Sequence, residues 1–286
     1  MEAHAPCARH SLGSSVNAGM DLANYIPQLS LDEEAGASGA RLASAIRRHG
    51  QVPKPGVRSL SPDLWYRAWR HGVEALGALV LQTRERVDPH VVRGMSLPSQ
   101  PIPIINLSSG DTPAGRTFSL LHELVHVALN GGGICSPTPG AASAAMERYC
   151  DAVAASALMP ASFIATFPRL DSVADPTASL MAAARLSGAS REALLYRFRE
   201  LGRVSEAVFA QLLAEVRQSY PQGAKGPSRV PRDTVALSRV GYRFARLVGD
   251  AFKDATITET EAARYLDRVP RAYLERVVRR AEGAGR

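Results

Sequence analysis

His122 and His126 stand four residues apart, and Glu123 directly follows the first of them. On a helix this spacing places both imidazoles on one face, so their ring nitrogens can converge on a single ion. A carboxylate next to the first histidine can take a proton from water held at that ion. The chemistry is metal-assisted hydrolysis: a polarised carbonyl, an acidified water and a base that moves the proton. So short a pattern also arises by chance, and the flanking sequence has to decide.

The flanks predict a helix. Asp111-Thr112-Pro113 reads as an N-cap followed by proline in the first turn. Gly131-Gly132-Gly133 ends the run, where a left-handed C-cap is expected. Between them, Phe118, Leu121, His122, Val125, His126 and Leu129 share one side, and Leu120, Leu124, Val127 and Ala128 fill much of the rest. A helix apolar nearly all round is a buried one. Imidazoles inside it need polar partners. The competing reading is a pair of core histidines bonded to backbone.

A catalytic zinc site commonly has three protein ligands and a water. No histidine follows His126, and Leu129 stands where a His-x-x-Gly-x-x-His extension needs glycine. The third ligand is then acidic or cysteine, and the acidic candidates soon after the helix are Glu147, Asp151, Asp171 and Asp175. Glu147 and Asp151 lie four apart in an alanine-rich stretch, 143–159, that predicts a second helix stopped by Pro160. We assign Glu147 as the third ligand. Asp151 is assigned to accept the spare N–H of a ligand histidine. The competing reading is a solvated carboxylate pair.

Phe118-Ser-Leu-Leu-His-Glu-Leu-Val-His126, followed by Met146-Glu-Arg-Tyr-Cys-Asp-Ala-Val-Ala-Ala-Ser-Ala-Leu-Met-Pro160, resembles the ImmA/IrrE metallo-endopeptidase family. Arg93-Gly94-Met95-Ser96 and Ile102-Pro103-Ile104-Ile105-Asn106 resemble the strands that precede the active-site helix in that family. The resemblance spans roughly residues 60–270 and is weakest at its ends. It implies an α+β, zincin-like fold, with His122, His126 and Glu147 as metal ligands and Glu123 as the catalytic glutamate. Zinc is the implied ion, and an N2O site also suits manganese or iron. Asp151 stands where members commonly have asparagine, a departure outside the ligand set. No oxyanion donor can be assigned, although Arg148 and Tyr149 are near in sequence.

The resemblance further implies a cytoplasmic enzyme that cleaves a helix-turn-helix repressor in stress response or mobile-element control. Relatives often carry a DNA-binding helix-turn-helix at the N-terminus. None is evident here before residue 60, so a separate regulator is the expected partner. Three alternatives stand beside this one. The chain is a non-catalytic regulator of the same fold acting by protein or DNA binding, or an antitoxin-like member of a toxin–antitoxin pair, or a protein with a purely structural metal.

Composition fits. The chain of 286 residues is 45% hydrophobic, enough for a substantial core. No apolar run approaches the roughly 20 residues that span a bilayer, so no membrane partner is expected. The first residues lack a secretory h-region. Three cysteines, Cys7, Cys135 and Cys150, form no Cys-x-x-Cys pair and suggest a reducing compartment. The net charge of +7 permits nucleic-acid binding, but the arginines are scattered, and the excess equally suits an acidic protein partner.

The predicted organisation is a mobile or helical segment (1–60), a metallopeptidase domain (61–168), a helix-turn-helix-like region (169–220) and a C-terminal helical subdomain (221–286). A helix is expected over 32–49. Another, capped by Ser61-Pro62, carries Leu64, Trp65, Ala68, Trp69 and Val73, and its two tryptophans at helical spacing are expected in the core. Strands are expected at 78–82, 90–95 and 102–107, and an edge strand can pair with an extended substrate. Residues 180–186 and 191–201 read as two helices joined at Ser187-Gly-Ala-Ser190, with Arg191, Arg197 and Arg199 on the second. DNA contact through that helix is possible without being the main role. Gly241, Phe244, Leu247, Val248 and Phe252 are expected to form the apolar stripe of the last subdomain.

Overall fold

The structure is a computed structural model and describes residues 25–88, 91–98, 102–130, 133–134, 141–219 and 230–283. Helix α1 (Ala35–His49) and helix α2 (Pro62–Ala75) precede strands β1 (Leu79–Gln82), β2 (Gly94–Leu97) and β3 (Ile104–Leu107). Helix α3 (Pro113–Ala128), the two-residue strand β4 (Gly133–Ile134) and helix α4 (Ala141–Leu158) follow. The rest is helical: α5 (Ala161–Ile164), α6 (Pro176–Ser187), α7 (Arg191–Glu200), α8 (Glu206–Gln218), α9 (Arg232–Val240), α10 (Tyr242–Lys253), α11 (Glu259–Tyr265) and α12 (Arg271–Gly283). This is an α+β chain with far more helix than sheet.

The sheet order is β1-β3-β2-β4. Strand β1 runs parallel to β3, with Leu79 opposite Ile104, and β2 runs antiparallel to β3, with Gly94 opposite Leu107. The observed β2 lies downstream of the expected 90–95. Val91 and Val92 donate to the carbonyl of Asp88 and close a helical turn, which removes them from the ladder. Pro98, without an N–H, follows the last residue of the strand.

Helix α3 lies across β2 and β3, with α2 and α4 against it, and α1 packs along α4. Leu29, Trp65, Trp69, Leu120, Leu124, Leu158 and Phe198 belong to one continuous buried core. Trp65 and Trp69 are each 1% exposed, as expected, while Leu64 on the same helix is 47% exposed. A second core, from Ala236 to Ala281, holds α9 to α12 together.

The two cores meet at a buried ion pair. Arg70 and Glu74, four apart on α2, are 3% and 2% exposed. The Arg70 guanidinium donates to Glu74, to the carbonyl of Val80 on β1 and to that of Ser238 on α9. The Glu74 carboxylate accepts the backbone N–H groups of Tyr242 and Arg243 at the start of α10. A helix N-terminus suits a carboxylate there. Burial pushes the Glu74 carboxyl up, and Arg70 and the α10 amides pull it back.

Gly241 makes this joint possible rather than lining the apolar stripe, in which Val248 is buried and Phe244 and Phe252 pack against the second core as expected, with Ala245 and Gly249 added. Its φ of 82° and ψ of 161° fall in a region essentially reserved for glycine. A Cβ there would lie 2.4 Å from Glu74 Oε1 and 2.7 Å from the Val80 carbonyl oxygen. Gly241→Ala is expected to cost about 3 kcal/mol from strain and clash. Gly283→Ala, where nothing lies within 4 Å of the added carbon, is the control. Equal denaturant midpoints for the two variants would refute this account of the joint.

Candidate metal centre

Helix α3 begins as its sequence predicts. Thr112 is the N-cap, its hydroxyl accepts the N–H of Gly115, and Pro113 occupies the first turn. The exit differs from expectation. The left-handed residue is Asn130, with φ of 54°, while Gly131 and Gly132 lie outside the described residues and Gly133 already pairs in β4. Asparagine tolerates this conformation because its short side chain bonds locally. Every residue from Ser119 to Ala128 is buried, including His122, Glu123 and His126.

Helix α4 brings the carboxylates. Glu147 Oε2 lies 3.1 Å from His122 Nε2, and Glu147 Oε1 lies 3.4 Å from His126 Nε2. The two Nε2 atoms are 3.1 Å apart. Asp151 Oδ1 lies 2.9 Å from His122 Nδ1. Among the described residues, His122, His126 and Glu147 are a group able to hold a metal ion.

The donor set fits such an ion. Zinc bonds of about 2.0–2.1 Å in tetrahedral geometry separate donors by about 3.3–3.4 Å, close to the observed triangle. The Asp151 carboxylate can only accept, so a neutral His122 gives it the Nδ1 proton and keeps a lone pair on Nε2. That lone pair faces the oxygen of Glu147. Two acceptors at 3.1 Å repel unless a proton or cation lies between them. Burial holds His126 below its ordinary pKa, the neighbouring His122 acts the same way, and Glu147 opposes both. The ring is kept in the neutral form that can bind a metal.

Glu123 packs against the backbone of β2. A Cβ at Gly94 would lie 2.8 Å from Glu123 Oε1. Only a residue without a side chain lets the strand approach this closely. Gly94→Ala is therefore expected to displace the carboxylate and lower any hydrolytic rate about tenfold or more, without loss of bound metal. A rate equal to wild type would show that the contact does not position Glu123.

The remaining sequence candidates have other duties. Asp171 accepts the N–H and hydroxyl of Ser205, and Asp175 caps α6 through the N–H of Ala178. The Tyr149 hydroxyl donates to Ser38 on α1, away from the metal cluster, so it is no oxyanion donor. Cys150 is fully buried, and Cys7 and Cys135 fall outside the described residues.

Helices α6 and α7 form the expected helical pair, turned at Gly188 (φ 81°) and capped by Ser190. The arginines of α7 are committed internally. Arg197 is buried against the Met159 carbonyl, Ser156 and Glu200. Arg199 pairs with Glu206 and stacks 4.6 Å over Phe209, and Arg191 donates to Ser219. Arg197 is withdrawn from the surface, while Arg191 and Arg199 make exposed contacts.

Sequence reasoning missed a groove of about 640 Å³ between α3, α4 and α7, lined in part by Gly115, Phe118, Arg148, Asp151, Ala155 and Tyr196. A signal for it was present. Positions 148, 151, 152 and 155 recur at helical spacing on α4, and 115 and 118 do so on α3.

Among the described residues no helix is long and apolar enough to cross a membrane. No curated protein and no solved structure matches the chain. Residues 74–199 match the family model described as IrrE N-terminal-like domain, Peptidase_M78. That span contains β1 to α4, the three converging donors, Glu123 and the α6–α7 pair. Residues 74–199 are thus similar to the IrrE N-terminal-like peptidase domain, which is consistent with an ImmA/IrrE metallopeptidase.

Proposed function

We propose that this chain is a zinc-dependent endopeptidase with zincin-like active-site helices. The observation that carries this reading is the convergence of His122 Nε2, His126 Nε2 and a Glu147 oxygen, from two helices, inside a peptidase-family span. His122, His126 and Glu147 would hold the ion, and the same donors would accept manganese or iron. The bound ion would supply a Lewis acid and lower the pKa of water to about 7.

The chain's own groups do the rest. Asp151 accepts the Nδ1 proton of His122 and so fixes the tautomer that presents Nε2. Glu123, held by the close approach of Gly94, takes the proton of the attacking water and returns it to the leaving amine. The buried walls of α3 limit water around that proton transfer.

The substrate we propose is a helix-turn-helix repressor in the cytoplasm, acting in stress response or mobile-element control. Its support is the resemblance of the paired helix motifs to ImmA/IrrE peptidases. The burial of Arg197 removes one of the three arginines that the second helix could have offered to DNA. The test is incubation of the zinc-loaded protein with helix-turn-helix repressors encoded beside it, read by mass spectrometry. One specific scission, abolished by a chelator, is expected. Intact repressors together with cleavage of unrelated proteins would remove the repressor as target.

A further inference from the structure

The groove between α3, α4 and α7 shares Asp151 with the metal cluster, so it opens directly beside it. Phe118, Ala152, Ala155, Met159 and Ala193 give it apolar walls, and Tyr196 stands exposed along it. Its acidic groups are already engaged. Asp151 faces His122, Glu192 pairs with Arg217, and Glu200 pairs with Arg197. Arg197 itself is buried and spent on Glu200, Ser156 and the Met159 carbonyl.

Two basic groups of the lining have no partner among the described residues, Arg93 and Arg148; they outnumber Asp151, which keeps its negative charge beside a neutral His122. Both side chains are exposed, and among the described residues neither guanidinium has a hydrogen bond or ion pair. Each is a chain neighbour of the proposed reacting centre. Arg93 precedes Gly94, which touches Glu123, and Arg148 follows Glu147. The chain's net charge of +7 adds to the same field.

We infer that this groove is a specificity subsite for a substrate segment carrying an acidic side chain next to an apolar one. Arg93 and Arg148 receive the carboxylate, and the Phe118–Ala155–Met159 wall receives the apolar group. The groove shares Asp151 with the surroundings of His122, so a segment held in it lies beside the bond that would be cleaved. The location rests on the peptidase reading, but the charge preference does not.

The test uses two fluorescein-labelled peptides, Ala-Ala-Phe-Glu-Ala-Ala and Ala-Ala-Phe-Lys-Ala-Ala, titrated by polarisation against the full-length Glu123→Gln protein, which is chosen so that neither is cut. Exposed ion pairs each change affinity by a few-fold. Two of them against a reversed charge should make the glutamate peptide bind about tenfold tighter at low salt, with the advantage shrinking at high salt. The double variant Arg93→Glu, Arg148→Glu, changed only at exposed positions, should reverse the preference. Equal affinities, no binding of either peptide, or a preference that survives the double substitution would each overturn the inference. Wild-type protein given the glutamate peptide separates the two readings. A preference without hydrolysis of this peptide or of any repressor removes the peptidase reading and leaves an acidic-peptide groove. Hydrolysis without a preference removes the subsite alone.

Discussion

Glu123→Gln is expected to reduce cleavage of the substrate about a thousandfold while metal content stays at the wild-type level. General acid–base transfer is typically worth 10²–10⁴ in rate, and the amide cannot accept or return the proton. The side chain is 2% exposed and packs against Gly94, so the isosteric amide occupies the same space. Removing a buried charge relieves desolvation, and the melting temperature should hold or rise slightly. Time courses of cleavage beside elemental analysis of the same preparations decide the matter. A variant that cleaves at the normal rate would end the assignment of Glu123 as proton carrier.

Glu147→Ala is expected to lose the ion. Outer partners of metal ligands cost 10–100-fold in affinity when removed, and loss of one of only three donors should exceed about 100-fold. Asp151→Ala should fall within that outer range. Asp151→Asn should bind almost as wild type, because its amide oxygen can accept the same Nδ1 proton of His122. Glu147 is partly exposed, so its loss should change the stability of the metal-free protein by less than about 1 kcal/mol. Zinc titration against a competing chelator gives the three affinities. Stoichiometric zinc in Glu147→Ala after dialysis would show that the ion, if any, is held elsewhere.

The parts of this fold that were legible in the sequence are those whose signals are local. Thr112 and Pro113 announce α3 through one turn of backbone, and Pro160 stops α4. The spacing of His122, His126, Glu147 and Asp151 follows from two helical periods, and the structure brings the four side chains together. What could not be read depends on distant partners. Strand β2 slipped because a turn at Asp88 withdrew Val91 and Val92 from the ladder. The placement of α9 and α10 depends on Arg70 and Glu74, 168 residues upstream of the groups they bind. Arg93 and Arg148 carry no signal until the acids around them are seen to be spent on other residues.

That long separation has a consequence for the order in which a nascent chain can finish. Arg70, Glu74 and strand β1 emerge early in synthesis, yet Ser238, Tyr242 and Arg243 leave the ribosome 168 or more residues later. Until then the two charges keep their water, and the outer edge of β1 has no α9 over it. An uncovered strand edge invites pairing with other chains. The helices that make up the metal cluster can meet well before that side closes. Helices α9 and α10 therefore act as a stopper: this side of the sheet closes only when they dock.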